Sequence, residues 1–197
     1  MSLRCIACGI FQFELEKVLP KIISGLGRDI QTEYLAPGLD VHADRLEQAV
    51  AEKIAGPGAG KTMLLYGSMC HTEWPRITGR SGVVYPKPAN CAELLLSPQK
   101  KKEIDATGNV YYLTMGGLKL WKEIYRQGHG WDETDARQNF CYFDRIVVLD
   151  TGVFPISEED LFEFFEYTQV PVEIENISLD HFTSIVADLG RILLNTG

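Results

Sequence analysis

The fold of this chain is indicated most directly by residues 62–71, which read Thr-Met-Leu-Leu-Tyr-Gly-Ser-Met-Cys-His. Four apolar or aromatic residues in succession, at positions 63–66, are typical of a strand that is buried on both faces. A glycine follows at once, which suits a tight turn at the end of the strand, and a cysteine follows soon after. This pattern predicts a parallel sheet with a sulfur-containing group at its carboxyl edge.

Similar short apolar segments recur on both sides of this stretch. The predicted strands are residues 4–8, 30–35, 62–66, 82–85, 110–114, 145–149 and 170–174. Segments with helical spacing separate most of them, as shown by Leu46, Val50 and Ile54. The alternation predicts an α/β fold, a doubly wound and mostly parallel sheet flanked by helices in three layers. Because the chain has 197 residues and no linker or internal repeat, we expect a single domain over residues 1–197.

Composition narrows the classes of function. A net charge of -8 argues against non-specific nucleic-acid binding, which needs a basic surface. No apolar run is long enough to span a membrane, and the first residues enter a strand-like segment without the layout of a signal peptide. We therefore expect a cytoplasmic protein whose five cysteines are reduced thiols rather than a disulfide framework.

Cysteine, glycine and hydroxyl-bearing residues follow several of the predicted strands. Because the carboxyl ends of parallel strands meet at one edge of a sheet, where ligands bind, we expect these residues to lie close together. Those predicted to contact a ligand there are Gly9, Gly67, Thr114, Gly116, Gly117, Asp150, Thr151 and Gly152. Glycine at a strand end permits a tight turn and a close approach of the backbone to a ligand.

The three thiols at this edge suit a soft metal. Cys8, Cys70 and Cys91 together with His71 would make a closed four-ligand zinc site, and without His71 they would leave one position open. We predict these four residues as metal ligands, with a zinc or iron ion, or an iron–sulfur cluster, as the cofactor. Asn90 is expected to cap a helix that begins at Cys91, and the dipole of that helix favours a thiolate.

Two other classes of function remain open. In the first, Cys70 or Cys91 is the nucleophile of a metal-free enzyme, His71 is its base, and the glycines after the third and fifth strands supply backbone donors. In the second, the chain is a ligand-binding or assembly module, and its acidic and aromatic residues 158–167 form the partner surface. Each cysteine also has a purely structural interpretation, because free cysteine often acts as a small core residue.

Some motifs suggest chemistry that their context excludes. Residues 55–62 resemble a phosphate-binding loop, but a predicted helix precedes them and a strand follows, which reverses the order that a phosphate site requires. We interpret them as the glycine-rich end of a helix. Asp150-Thr151-Gly152 resembles an aspartic-protease triplet, but one copy cannot supply the two carboxylates of that chemistry. Cys5 and Cys141 are predicted to be core residues.

Residues 127–143 are the longest ambiguous stretch. Trp131 followed by acidic residues indicates a loop that turns into a helix, and we predict either an inserted helix or a mobile cover over the site. Pro20 interrupts the first helical segment, so we expect a kink there or the start of a second helix.

A series of short motifs resembles the domain-of-unknown-function 1638 family over nearly the whole chain. The motifs are Ile6-Ala7-Cys8-Gly9, residues 35–46 with His42, Tyr66-Gly67 followed by Cys70, Asn90-Cys91 leading into Leu94-Leu95-Leu96, Tyr111-Tyr112-Leu113-Thr114 with Gly117, and residues 146–152. The resemblance implies a cytoplasmic α/β protein of unestablished activity, often encoded near corrinoid-dependent methyltransferases. It also implies that Cys8, Cys70 and Cys91 occupy recurring cysteine positions of the family.

The resemblance extends the expected function to one-carbon or corrinoid-linked metabolism. The implied partner is a small molecule or a protein of the corrinoid system. We expect neither a nucleic acid nor a membrane as a partner. A homodimer is expected only because dimers are common among proteins in general. One departure concerns the second cysteine, which family members tend to follow with small residues, often including Asn-Gly. This chain has His71-Thr72-Glu73-Trp74-Pro75 there. If that loop touches the ligand, this chain would bind a different ligand from other members, and His71 would be an addition of its own.

Overall fold

The predicted strands are all present in a computed structural model, which describes residues 2–56, 60–79 and 82–195. The strands are β1 (Leu3–Cys8), β2 (Ile30–Leu35), β3 (Thr62–Leu65), β4 (Val83–Val84), β5 (Val110–Thr114), β6 (Arg145–Asp150) and β7 (Val172–Asn176). The helices are α1 (Gln12–Leu26), α2 (Ala43–Ala55), α3 (Trp74–Thr78), α4 (Cys91–Leu95), α5 (Pro98–Asp105), α6 (Met115–Lys119), α7 (Glu133–Phe140), α8 (Glu158–Thr168) and α9 (Asp180–Asn195), with a π-helix at Lys122–Gly128.

The α/β class is confirmed, and every strand pair is parallel. The strands are divided between two sheets, with the orders β2-β1-β3-β4 and β5-β6-β7. In the first sheet the chain moves from β1 to β2 and then returns across β1 to β3. The direction of winding therefore reverses between β1 and β3, and such a reversal opens the crevice where open α/β sheets bind ligands.

A shared core joins the two sheets, and alternate residues of β6 show how. Val147 and Leu149 belong to the core cluster of the first sheet, whereas Ile146 and Val148 belong to the cluster under the second sheet. This alternation is the period of two that a strand imposes on its side chains. The last helix, α9, returns to the first sheet and contacts α1, α4, β3 and β4. Helix α9 therefore packs against the sheet whose strands β1 and β3 lead to Cys8 and Cys70.

Local differences from the sequence prediction have simple causes. Helix α1 runs continuously through Pro20, which lies on its exposed side. Strand β7 begins at Val172, two residues later than predicted. Gln169 takes a left-handed conformation at the end of α8, and Pro171 has no N–H to donate to a neighbouring strand.

The glycine-rich stretch 55–62 is described only at its ends, since residues 57–59 lie outside the described residues. The helix α2 before it and the strand β3 after it confirm the inverted order. Within the described ranges, no helix has both the length and the apolar character that crossing a membrane requires.

Candidate functional site

A cavity of about 280 Å³ opens at the carboxyl edge of β1 and β3, beside the end of β5. Its wall contains Cys8, Cys70 and Cys91 together, so the predicted convergence of the three thiols is found. Thr114 and the predicted glycines Gly67 and Gly117 also line it. All five cysteines of the chain are free thiols.

Gly67 brings two of the thiol-bearing segments together. A Cβ atom at this position would lie 2.3 Å from the carbonyl oxygen of Ala89, so only glycine allows the turn after β3 to approach the segment before α4. Ser68 N–H then donates to Pro88 O at 2.8 Å, and Met69 N–H donates to Ala89 O at 2.9 Å. These contacts hold the segment that leads to Cys70 beside the segment that leads to Cys91.

Two further glycines hold other strand ends in place. A Cβ atom on Gly9 would lie 2.8 Å from Leu35 O, which fixes the turn after β1 against the end of β2. A Cβ atom on Gly116 would lie 2.0 Å from Ile10 O, which fixes the start of α6 against the segment that follows Cys8. Gly9 and Gly116 were predicted to approach a ligand, but what they approach is backbone.

The three cavity thiols are held in their protonated form. Burial raises the pKa of Cys8 and Cys70 to about 12 each, and that of Cys91 to about 11. The carboxylate of Asp40 adds to all three shifts. Asn90 caps α4 as predicted, accepting from Glu93 N–H at 3.1 Å. Backbone N–H groups at the start of α4 lower the pKa of Cys91, but burial outweighs them, so the expected thiolate is not favoured.

His71 does not join the thiols. Its side chain is buried away from the cavity wall, where Nδ1 accepts from Glu73 N–H at 3.1 Å. Its Nε2 lies 3.8 Å from a carboxylate oxygen of Glu47, and its ring centre lies 5.3 Å from that of Trp74. The hydrogen bond to the turn before α3 occupies Nδ1, and His71 is absent from the described cavity wall. The structure therefore gives no support to His71 as a fourth ligand.

The Asp150-Thr151-Gly152 triplet at the end of β6 also lies outside the described cavity wall. Asp150 accepts from Gly152 N–H at 2.8 Å, and Thr151 is buried and donates to Glu14 of α1 at 3.1 Å. Lys17 donates to Gly152 O at 2.8 Å. The residues of this triplet are absent from the described wall of the cavity. They connect the second sheet to α1 instead.

Much of the cavity wall is aromatic and comes from β5, the π-helix and the segment around α7. The ring centres of Tyr125 and Trp131 lie 5.8 Å apart in a stacked arrangement, and Tyr111 meets Phe140 edge to face at 4.8 Å. The hydroxyls of Tyr111 and Tyr125 are hydrogen-bonded to each other at 2.6 Å. Residues 127–143 therefore contribute to the cavity wall and contain the helix α7, which Asp132 caps.

The cavity residues that sequence reasoning missed include Asp40 and His129. Asp40 follows β2, so it lies at the same edge as the cysteines, and the rule that found the thiols applies to it equally. His129 follows the π-helix and also lines the cavity. Cys5 is buried outside the cavity wall, as predicted. Cys141 is exposed, so its prediction as a core residue is wrong. It ends α7 and its thiol reaches Gln138 O at 3.1 Å.

The thiols do not form a ready-made metal site. Over residues 2–56, 60–79 and 82–195, no three or more His, Cys, Asp or Glu side chains stand as a group that could hold a metal ion. Metal binding by the cavity cysteines would therefore require their side chains to turn toward one another. A cysteine side chain turns about a single bond, Cα–Cβ, and all three cysteines line the cavity.

A comparison with protein-family profiles matches residues 34–186 to the family described as protein of unknown function (DUF1638). The chain belongs to this family. The resemblance drawn from its short motifs is therefore confirmed. Within this DUF1638 chain the matched region includes Asp40, Cys70 and Cys91, whereas Cys8 precedes it. Comparisons with curated proteins and with solved structures gave no match.

Proposed function

We propose that this DUF1638 chain binds a soft metal centre, a zinc or iron ion or an iron–sulfur cluster, through Cys8, Cys70 and Cys91. The observation that carries the proposal is that thiols from three separate segments line one cavity at the strand ends. Thiolate sulfur is the donor that these metals prefer. Three thiolates leave a further position of a tetrahedral metal open to a small molecule in the cavity.

The alternative of a metal-free cysteine nucleophile is less well supported. A nucleophilic cysteine needs a lowered pKa or an adjacent base, but burial raises the pKa of each cavity thiol. The predicted base, His71, is absent from the described cavity wall, and its Nδ1 accepts from Glu73 N–H. A metal changes this balance because it displaces the thiol protons directly, and its positive charge compensates the thiolates.

The hydroxyl of Tyr66 supports the same conclusion. It is buried in the cavity wall close to the Cys8 thiol, a weak acceptor, and makes no hydrogen bond of ordinary geometry with a described residue. An unpaired buried hydroxyl costs about 1–3 kcal/mol. Hydrogen bonds to an ionised acceptor are stronger than those to a neutral one. A metal-bound thiolate at Cys8 would therefore give Tyr66 the acceptor that it lacks.

The metabolic setting of the proposal rests on the family resemblance. It comprises one-carbon or corrinoid-linked metabolism, a cytoplasmic location, and a small molecule or corrinoid-system protein as the partner. A corrinoid is much larger than a cavity of about 280 Å³, a volume at the lower end for small-molecule sites. We therefore propose that the cavity takes a smaller molecule, and that any corrinoid protein is met at the surface.

A cobalt titration under anaerobic conditions tests the proposal, because cobalt bound to thiolate gives an intense charge-transfer absorption. We expect this absorption in the wild type, together with the release of one proton for each thiol that binds, since the free thiols are protonated at neutral pH. Cys8→Ser, Cys70→Ser and Cys91→Ser should each weaken cobalt binding at least about tenfold.

Cys141→Ser is the matched control, because Cys141 is exposed and lies outside the cavity wall. It should bind cobalt as the wild type does. A wild type with no charge-transfer band, or a band that persists unchanged in all three cavity variants, would contradict the proposal.

A further inference from the structure

The cavity wall carries little formal charge. Asp40 is the one carboxylate among the described lining residues, which include neither lysine nor arginine. Its side chain forms no hydrogen bond or ion pair with any described residue. Burial lowers the pKa of the His129 imidazole, which favours its neutral form. An anionic ligand would therefore find no opposite charge in this wall, whereas a cation would find Asp40.

A second part of the cavity wall is aromatic and is formed by Tyr111, Tyr125, Trp131, Phe140 and Phe143. Edge-to-face and stacked contacts join its rings, and their centres lie 4.8–5.8 Å apart in the Tyr111–Phe140, Tyr111–Phe143, Tyr125–Phe140 and Tyr125–Trp131 pairs. In the described part of the chain, no lysine or arginine lies over these five rings. An aromatic face attracts a cation through its quadrupole, and quaternary ammonium groups are bound this way.

From the lone carboxylate and the aromatic wall together, we infer that the cavity binds a small organic cation of the methylated ammonium class. Its methyl groups lie against the aromatic wall and its charge is balanced by Asp40. A cavity of about 280 Å³ suits a ligand of this size. This inference goes beyond the metal site and does not depend on it, because it rests on Asp40 and the aromatic wall alone.

Three ligands of similar shape and different charge test the inference. Choline is a cation, 3,3-dimethylbutan-1-ol is its neutral analogue, and 3,3-dimethylbutanoate is an anion. Each is titrated into metal-free wild-type protein by calorimetry. We expect choline to bind about tenfold more tightly than the alcohol, because cation–π attraction and Asp40 act on the charged ligand alone. The carboxylate should show no binding.

Asp40→Asn should remove most of the preference for choline over the alcohol. Asp44→Asn is the matched control, since Asp44 is exposed in the first turn of α2 and lies outside the cavity wall, and it should keep the preference. Equal binding of choline and the alcohol by the wild type, tighter binding of the carboxylate, or no choline binding up to about 10 mM would overturn the inference. Because metal is absent, none of these results bears on the thiol proposal.

Discussion

Tyr66 links the packing of the first sheet to the chemistry of the thiols. Its side chain is almost completely buried, and its ring centre lies 5.9 Å from that of Trp74. Burial and the neighbouring Cys8 thiol raise the pKa of Tyr66 above its ordinary value, so its hydroxyl keeps its proton and remains a donor. In the metal-free protein this hydroxyl lacks an acceptor, which lowers stability. A thiolate at Cys8 would supply the acceptor.

We predict opposite effects of Tyr66→Phe on the two states. The metal-free protein should unfold with an unchanged or higher free energy, because the unpaired hydroxyl is removed while the ring stays. Metal affinity should fall about tenfold, as is usual when a group that supports a ligand is lost. Chemical denaturation measures the first quantity and cobalt titration the second.

Tyr142→Phe is the control for this experiment, because Tyr142 is 75% exposed, and it should leave both quantities unchanged. A Tyr66→Phe variant that is less stable without metal yet binds cobalt as the wild type does would assign Tyr66 a structural role only.

At the scale of elements, the site depends on close approaches between strand ends. Gly9, Gly67 and Gly116 each hold one segment against the backbone of another. These contacts join the ends of β1, β2 and β5 to one another, and the end of β3 to the segment before α4. The sequence could predict that the thiols meet, because the rule for parallel strands needs only the strand positions. It could not distinguish a glycine that faces a ligand from one that faces backbone, since that depends on which segments touch.

Gly116→Ala is predicted to destabilise the fold. Its Cβ would stand 2.0 Å from Ile10 O, so the start of α6 or the segment after Cys8 must move, at a cost of about 3 kcal/mol in the free energy of unfolding. Gly25→Ala in α1 is the matched control, because its Cβ would meet nothing within 4 Å. That variant should be unchanged or more stable by about 0.5 kcal/mol. Denaturant unfolding measures the free energy of unfolding of both variants. Equal values for the two would contradict this explanation.

At the scale of the whole molecule, the two sheets share a core, and a buried polar contact joins the second sheet to α1. Glu14 in the first turn of α1 accepts from Thr151, which follows β6, and its other carboxylate oxygen has no partner among the described residues. Burial raises the pKa of Glu14 to about 7, with Lys17 as the nearby positive charge that opposes the shift. The sequence placed Thr151 at a ligand site because it could not show that the strands divide between two sheets.

This contact predicts a dependence of stability on pH. The folded protein holds the proton of Glu14 up to about pH 7, whereas the unfolded chain releases it near 4.5. The contribution of Glu14 to stability is therefore full below about pH 4.5 and falls by up to about 3 kcal/mol as the pH rises to 7 and above. Glu14→Gln should remove this loss, so its stability relative to the wild type should increase from pH 5 to pH 8.

Denaturant unfolding at several pH values measures the difference. Glu16→Gln is the control, because Glu16 is exposed on the same helix, and its curve should run parallel to that of the wild type. A Glu14→Gln curve that also runs parallel would show that the buried carboxyl does not set the pH dependence.

The parts of the site that sequence could not reveal are those that depend on packing between the sheets. The aromatic wall requires β5, the π-helix and α7 to fold over the ends of β1 and β3, and no local sequence pattern predicts that arrangement. The direction of His71 follows from one hydrogen bond to Glu73 N–H. The position of Asp40, in contrast, could have been predicted from the sequence, because the end of β2 was predicted correctly.

The most direct test of the thiol site is the metal content of protein purified without oxygen, compared between the wild type and a variant with serine at Cys8, Cys70 and Cys91. The account predicts near-stoichiometric zinc or iron in the wild type, directly or after anaerobic reconstitution, and its loss in the variant. Wild-type protein that holds no metal after reconstitution, or a triple variant that retains it, would contradict the account.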